Sequence, residues 1–294
     1  MREITTRADK YLLEHFYQTC TEKSRASRDC RGVEICDNYS WIDVILDGER
    51  TCRECEFVTE RQGFYYGKGK FSKGFEEQKY VTVKKIRSQD EFLAVCRRVS
   101  PAVRGMVIMG SVDDASPLEQ FSDLEFVAFE GQKITRFWNT AKTPNLKMLT
   151  LWINKHLKSL SGLETAGALE CLQFYGSFSD VSVHKIESLE PIAGLSRLRE
   201  IVLSATEPLD HNIDHLIALD SLEYLWISPN LFPMECYARF EAQKFKLSDE
   251  YGIYCEESDQ SYPYGKGRRV MSTPAAKEKY LREYNLILEK YKIK

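Results

Sequence analysis

Between Val103 and Phe240 one phrase recurs six times: apolar, two residues, apolar, one residue, apolar. The copies are Val103-Met106-Ile108, Leu124-Val127-Phe129, Leu146-Leu149-Leu151, Leu169-Leu172-Phe174, Leu198-Ile201-Leu203 and Leu222-Leu225-Ile227. Their first positions lie 21, 22, 23, 29 and 24 residues apart. Side chains alternate along a strand, so positions one, four and six point into a common core, and positions three, five and seven onto the opposite face. Between the strands a second beat runs at three-residue spacing: Leu157-Leu160-Leu163, Leu189-Ile192-Leu195 and Ile213-Leu216-Leu219. That spacing predicts a helical turn packed behind each strand. The longest interval places an insertion of about six residues around Phe178 to Ile186.

A repeat of 20–29 residues with this phrase resembles leucine-rich-repeat proteins, and most closely the short-period cytoplasmic kind of bacteria. The resemblance covers residues 103–240 and implies an α/β solenoid of about six parallel-strand repeats used for binding. It also implies that the ninth position, Ser111, Gln132, Asn154, Ser177, Thr206 and Asn230, is a structural ladder satisfying loop amides between coils. The second position reads Arg104, Glu125, Lys147, Glu170, Arg199 and Glu223. Its sign alternates down the array, which predicts an ion-pair ladder that opposes slippage by one repeat.

The flanks follow other patterns. A helix is expected from Thr6 to Cys20, with Leu12, Leu13, Phe16 and Tyr17 on one face. Strands follow: Trp41 to Leu46, an Asp47-Gly48 turn, Thr51 to Val58, Phe64 to Tyr66 and Tyr80 to Val83. Residues 1–86 therefore read as a small α+β capping domain. Ser88 and Glu91 form a capping box before Phe92, Val95, Cys96 and Val99, a helix that leads the solenoid of residues 87–245. Residues 246–294 hold an aromatic loop, then a closing helix begun by Thr273 and Pro274 with Tyr280, Leu281, Tyr284, Leu288 and Tyr291 on its apolar face.

The concave positions carry the functional expectation. Phe126, Glu130, Met148, Trp152, Gln173, Tyr175, Glu200, Tyr224 and Trp226 compose a surface of large rings and polar groups suited to a protein partner. The alternative is intramolecular cover by the aromatic tail from Tyr251 to Tyr264.

Other candidate chemistry is weaker. Cys52 and Cys55, with Cys30 and Cys36, lack the paired tight turns of a zinc site. His211 and His215 lie one turn apart without the glutamate base of a metalloprotease helix, so no metal and no cofactor is expected. Tyr66-Gly67-Lys68-Gly69 and Tyr264-Gly265-Lys266-Gly267 stand in basic surroundings, with Arg268 and Arg269 beside the second. Lys68, Lys266, Arg268 and Arg269 are thus candidates for anion binding, although neither copy is a P-loop.

Composition narrows the class. A chain of 294 residues with net charge -3 is large enough for a sizeable core and disfavours nucleic acid as a whole-surface partner. The first residues, Met1 through Arg7, have no continuous apolar stretch, and no run is long enough to span a membrane. Nine scattered cysteines suit free thiols in a reducing compartment. The expectation is a cytoplasmic, monomeric, non-enzymatic protein that binds another protein on its concave face, in one form as an immunity-type inhibitor. Phosphate or nucleic-acid binding through the Tyr-Gly-Lys-Gly segments is one alternative, and an enzyme or metal site in residues 1–86 another.

Overall fold

The computed structural model describes residues 6–8, 11, 66–152, 155–175, 183–247, 263–266 and 273–292, and the backbone alone at 43–46, 49–52 and 65. Nine strands form one sheet. In chain order they are β3 (Tyr65–Gly67), β4 (Lys70–Phe71), β5 (Tyr80–Ile86), β6 (Gly105–Gly110), β7 (Phe126–Glu130), β8 (Met148–Trp152), β9 (Cys171–Tyr175), β11 (Glu200–Ser204) and β13 (Tyr224–Ile227). Two strands outside this sheet, β1 (Asp43–Leu46) and β2 (Glu49–Cys52), make an antiparallel hairpin closed by the pair Leu46 and Glu49, as the Asp47-Gly48 signal predicts.

Within this sheet β5, β6, β7, β8, β9, β11 and β13 pair in parallel in that order, each copy of the phrase aligned with the next. Every residue at positions one, four and six is buried, none more than 5% exposed. The convex triplets are buried with them, and together they form one continuous core. Each such side chain is worth about 1.5–3 kcal/mol on burial, so the spine is the main source of stability. The expected architecture, an α/β leucine-rich-repeat solenoid, is what forms.

Register is fixed by the backbone. The amide of each position-two residue donates to the position-two carbonyl one coil earlier: Glu125 to Arg104 at 2.8 Å, Lys147 to Glu125 at 2.8 Å, Glu170 to Lys147 at 2.7 Å, Arg199 to Glu170 at 2.9 Å and Glu223 to Arg199 at 2.8 Å. The charged side chains therefore stand side by side. Arg104 pairs with Glu125 at 2.6 Å, Lys147 with Glu125 at 3.6 Å and Arg199 with Glu223 at 3.1 Å. The ninth-position ladder is clearest at Gln132, which is 2% exposed. Its amide donates to the carbonyls of Ile108 and Glu130, and its Oε1 accepts the Val112 amide. Thr206 donates to the Ser204 carbonyl. Asn154 and Ser177 lie outside the described residues.

One coil replaces leucine by threonine on the convex side. Thr140 and Thr143 are buried, and their hydroxyls are satisfied. Thr140 Oγ1 meets the Gly162 carbonyl and Thr165 Oγ1, while Thr143 Oγ1 accepts Trp138 Nε1 at 3.0 Å.

The strands ahead of the phrase join the same sheet. Val81 aligns with Met106 and Val83 with Ile108, so β5 is a further coil of the array. Its first position falls on Gln78, a polar residue that bonds the Gly74 carbonyl, which is why the phrase does not register there. β3 pairs in parallel with β5, and β4 closes the sheet antiparallel to β3. A boundary at residue 86 thus falls within continuous sheet pairing. Helix α1 (Gln89–Cys96) follows with Ser88 as N-cap, its Oγ accepting the Glu91 amide at 3.3 Å. The Glu91 carboxylate turns to the Arg87 amide and the Tyr66 hydroxyl.

Within the 29-residue interval, at the end of the insertion, β10 (His184–Ile186) pairs in parallel with β12 (Thr206–Pro208) in a second small sheet. The pairing is three residues long, too short for a period to show in sequence. Phe178 to Ser182 lie outside the described residues. After α2 (Asp214–Ile217) and the last coil, α3 (Met234–Gln243) and α4 (Pro274–Lys292) pack on one another. Tyr237 and Phe240 of α3 and Tyr280 and Tyr284 of α4 are buried in the main core. Thr273 caps α4 by accepting the Ala276 amide at 3.3 Å.

Candidate functional site on the concave face

Three columns of side chains cross the concave sheet. Position three runs Tyr80, Gly105, Phe126, Met148, Cys171, Glu200, Tyr224; position five runs Thr82, Val107, Ala128, Thr150, Gln173, Val202, Trp226. Position seven aligns Met109, Glu130, Trp152, Tyr175 and Ser204.

Burial sorts the expected site residues into two groups. Phe126 and Gln173 are fully buried and Trp226 is 6% exposed. Met148, Trp152, Tyr175, Glu200 and Tyr224 are half-buried, and Glu130 is exposed. Trp152 and Tyr175 stack with centroids 6.0 Å apart and rings 14° from parallel.

Much of the burial comes from the start of the chain. Arg7, Ala8 and Tyr11 are helical and lie against the sheet; the rest of the expected first helix lies outside the described residues. Ala8 and Tyr11 close a second apolar cluster with Val107, Phe126, Ala128 and Cys171, against which Tyr80, Met109, Met148 and Trp152 pack. Tyr11 stacks on Phe126 at 5.1 Å and meets Tyr80 edge-on at 6.0 Å. Thr6 accepts the Gln173 amide, and Gln173 in turn accepts the Thr150 hydroxyl at 2.8 Å.

Arg7 gathers three carboxylates from three successive coils. Its Nε donates to Glu200 Oε1 at 2.9 Å and its backbone amide to Glu200 Oε2 at 2.6 Å. Nη1 lies 3.4 Å from Glu170 and Nη2 3.5 Å from Glu223. Burial raises the Glu200 carboxyl above the ordinary range, and Arg7 opposes the rise by favouring the ionised form. Burial likewise drives the Tyr11 phenol well above its usual value, so it is neutral at every physiological pH.

This docking is the feature sequence reasoning missed. Intramolecular cover enters the sequence reading only as an alternative, and from the other end of the chain. Of that tail, residues 251–262 lie outside the described residues, and Tyr264 is found stacked on Tyr237 of α3 at 4.6 Å. Nothing local in Thr6 to Tyr11 signals a partner some 190 positions away; only Arg7 and Tyr11, on one side of a helical turn, match the acidic and aromatic columns.

The two Tyr-Gly-Lys-Gly segments resolve into turns at opposite ends of the array. Lys68 and Gly69, at φ 53° and 77°, form the two-residue turn between β3 and β4. Positive φ at both central residues is the type I′ requirement. Gly265 sits beyond the last coil, its amide on the Pro229 carbonyl at 2.8 Å, and Lys266 pairs with Glu283 at 3.3 Å. Lys68 and Lys266 therefore do not converge on one anion; Arg268 and Arg269 lie outside the described residues.

His211 and His215 turn to separate carboxylates, Glu207 at 3.5 Å and Asp210 at 3.3 Å. Among the described residues no three His, Cys, Asp or Glu side chains converge as a metal site, and no helix is long and apolar enough to cross a membrane. Cys30, Cys36 and Cys55 lie outside the described residues.

No protein-family model matches the chain. No curated protein matches it either. Solved structures do. An internalin from Listeria monocytogenes str. 4b F2365 aligns at 19% identity and TM-score 0.39 over 54% of this chain and 50% of its own. Internalin C2 from the same strain aligns at 16% identity and TM-score 0.33 over 47% of this chain and 66% of its own. A leucine-rich-repeat protein of Leptospira interrogans aligns at 11% identity and TM-score 0.37 over 59% of this chain and 48% of its own. The chain thus spans less than two thirds of each of these proteins. It is the chain's own phrase, its parallel register and its buried spine that make it a leucine-rich-repeat solenoid.

Proposed function

We propose that the protein is a non-enzymatic protein-binding module, cytoplasmic and monomeric, that holds one macromolecular partner on its concave face. The observation that carries this reading is the stacked pair Trp152 and Tyr175, half-buried beside exposed Glu130 at one end of the strands. Two preassembled rings offer large contact area and few rotors to freeze, the composition of an interface hot spot. Met148 and Tyr224 extend the surface along position three. Phe126, Gln173 and Trp226 form its floor, and Glu200 is the charged contact. A stoichiometric inhibitor of the immunity type is the finer form of this reading, because a rigid face can block a partner without chemistry of its own.

The test uses the full chain as bait in a lysate of its source, followed by affinity measurement on the captured protein. Trp152→Ala/Tyr175→Ala, checked for an intact cooperative melt, should weaken that partner at least about tenfold. Unchanged affinity removes the concave face from the reading. Trp226→Ala is the poorer probe, since truncating a buried tryptophan costs about 3–5 kcal/mol of stability whatever the ring contacts.

A further inference from the structure

Resting on the binding reading above, we propose that the concave face recognises a helical segment presenting an arginine and, four residues later, an aromatic ring. In this structure the chain's own Arg7 and Tyr11 occupy that site, and a partner takes it by displacing them.

Three observations support this. The first is charge. Glu170, Glu200 and Glu223 lie on adjacent coils, and Arg199 pairs with Glu223 at 3.1 Å. Arg7 reaches all three carboxylates, at 3.4, 2.9 and 3.5 Å. Take Arg7 away and Glu200, only 14% exposed at its side chain, has no cation left among the described residues, with Glu170 and Glu223 on the coils to either side. A buried carboxylate in that setting demands a cation. The fork of a guanidinium reaches several oxygens at once, which the point charge of a lysine does not.

The second is shape. Tyr11 stacks 5.1 Å from Phe126 in a recess whose other walls are Val107, Ala128 and Cys171. The acidic and aromatic pockets are spaced for residues i and i+4 of one helix, since Arg7 and Tyr11 fill them together.

The third is place. Ala8 and Tyr11 pack with Val107, Phe126, Ala128 and Cys171 in a cluster separate from the continuous core of the array. A segment outside the main core can open without unfolding it. A face whose occupant is attached to the same chain also binds an outside helix more weakly, by the fraction of time the occupant is away.

A fluorescein-labelled synthetic peptide of residues 1–20 of this chain is the probe, titrated by anisotropy into the full chain and into full-length Arg7→Ala/Tyr11→Ala. The variant should bind at least about tenfold tighter than the unaltered chain. Adding Glu200→Gln to the variant, or replacing the peptide's own arginine by alanine, should abolish that gain. Arg7→Ala alone, which leaves the apolar cluster in place, serves if the double variant no longer melts cooperatively. Equal affinity for both chains, no binding to the variant, or a gain that survives Glu200→Gln overturns the inference. So does a dimer seen in sedimentation of the unaltered chain and lost in the variant, because the displacing helix is then a second copy. If a partner is captured through Trp152 and Tyr175 yet binds the unaltered chain and the Arg7→Ala/Tyr11→Ala chain equally, the binding module stands and the displacement does not. If the peptide gain appears while no partner depends on Trp152 and Tyr175, the reverse holds.

Discussion

Arg7 grips Glu200 with both its backbone amide and its Nε, at 2.6 and 2.9 Å, across 193 positions of sequence. Their charges are coupled to folding. Glu200 has a carboxyl raised above the ordinary range, so its protonated form is the one the fold favours. The stability tied to that proton is fully present below the ordinary carboxylate pKa and is lost as pH rises through the raised value. Arg7 limits that loss. Arg7→Ala is expected to move the Glu200 titration further up, read by carbon-detected NMR of the side-chain carboxyl. It should also cost about 1–2 kcal/mol at pH 7 and much less at pH 4, in paired urea melts. An equal cost at both pH values would show that Arg7 acts by packing alone.

The alternating column makes a second expectation. Lys147 lies 3.6 Å from Glu125, on a backbone that holds the two side by side. Lys147→Glu should cost about 1 kcal/mol, shrinking as salt is raised, whereas Lys133→Glu at an exposed position outside the column should cost less than half of that. Equal costs would remove the column from any role in register. The column has a limit: the coil ahead of the phrase places Lys79 beside Arg104, whose amide bonds the Lys79 carbonyl at 2.7 Å. Alternation ends there, and the backbone bond persists without it.

Gln132 answers for three backbone groups from a buried position. Gln132→Leu keeps the volume and strands the Val112 amide together with the Ile108 and Glu130 carbonyls. The expected loss is about 2–4 kcal/mol in a denaturant melt, larger than for an exposed glutamine such as Gln120. A loss below about 1 kcal/mol would mean that water replaces the amide.

At the far end, Gly265 has φ 72°, and a Cβ there would lie 2.0 Å from the Met234 amide nitrogen. Gly265→Ala is expected to separate the turn from α3, costing about 2–4 kcal/mol and exposing Tyr264 to quenchers. At Gly69, where a Cβ meets nothing within 4 Å, the same substitution strains only φ and should cost about 1–2 kcal/mol.

The array was readable because burial repeats: every apolar position of the phrase lies in the spine, and a period needs only that. Gln78 shows where this stops. A coil whose first position is polar has the backbone pairing of its neighbours and none of their signature. The concave columns were assigned correctly from alternation, but their exposure depended on Thr6, Arg7, Ala8 and Tyr11, residues that carry no local trace of where they dock. Sequence periodicity reports on contacts at fixed short intervals; a segment that crosses the sheet from a distance makes its contacts at none. The Tyr-Gly-Lys-Gly pair shows the converse, one phrase in two settings: Lys68 and Gly69 make a hairpin turn at one end, and Gly265 makes a tight backbone approach at the other.

The parallel pairing of β5 with β6 bears on how the chain can be divided. A cut at residue 87, where the composition changes, would leave the amides and carbonyls of β6 without the partners that Tyr80 to Val83 supply. The shortened protein would begin on a naked, hydrophobic strand margin, the kind of surface on which identical molecules add to one another edge to edge. Residues 65–86 are in this sense the array's protection against polymerising with itself.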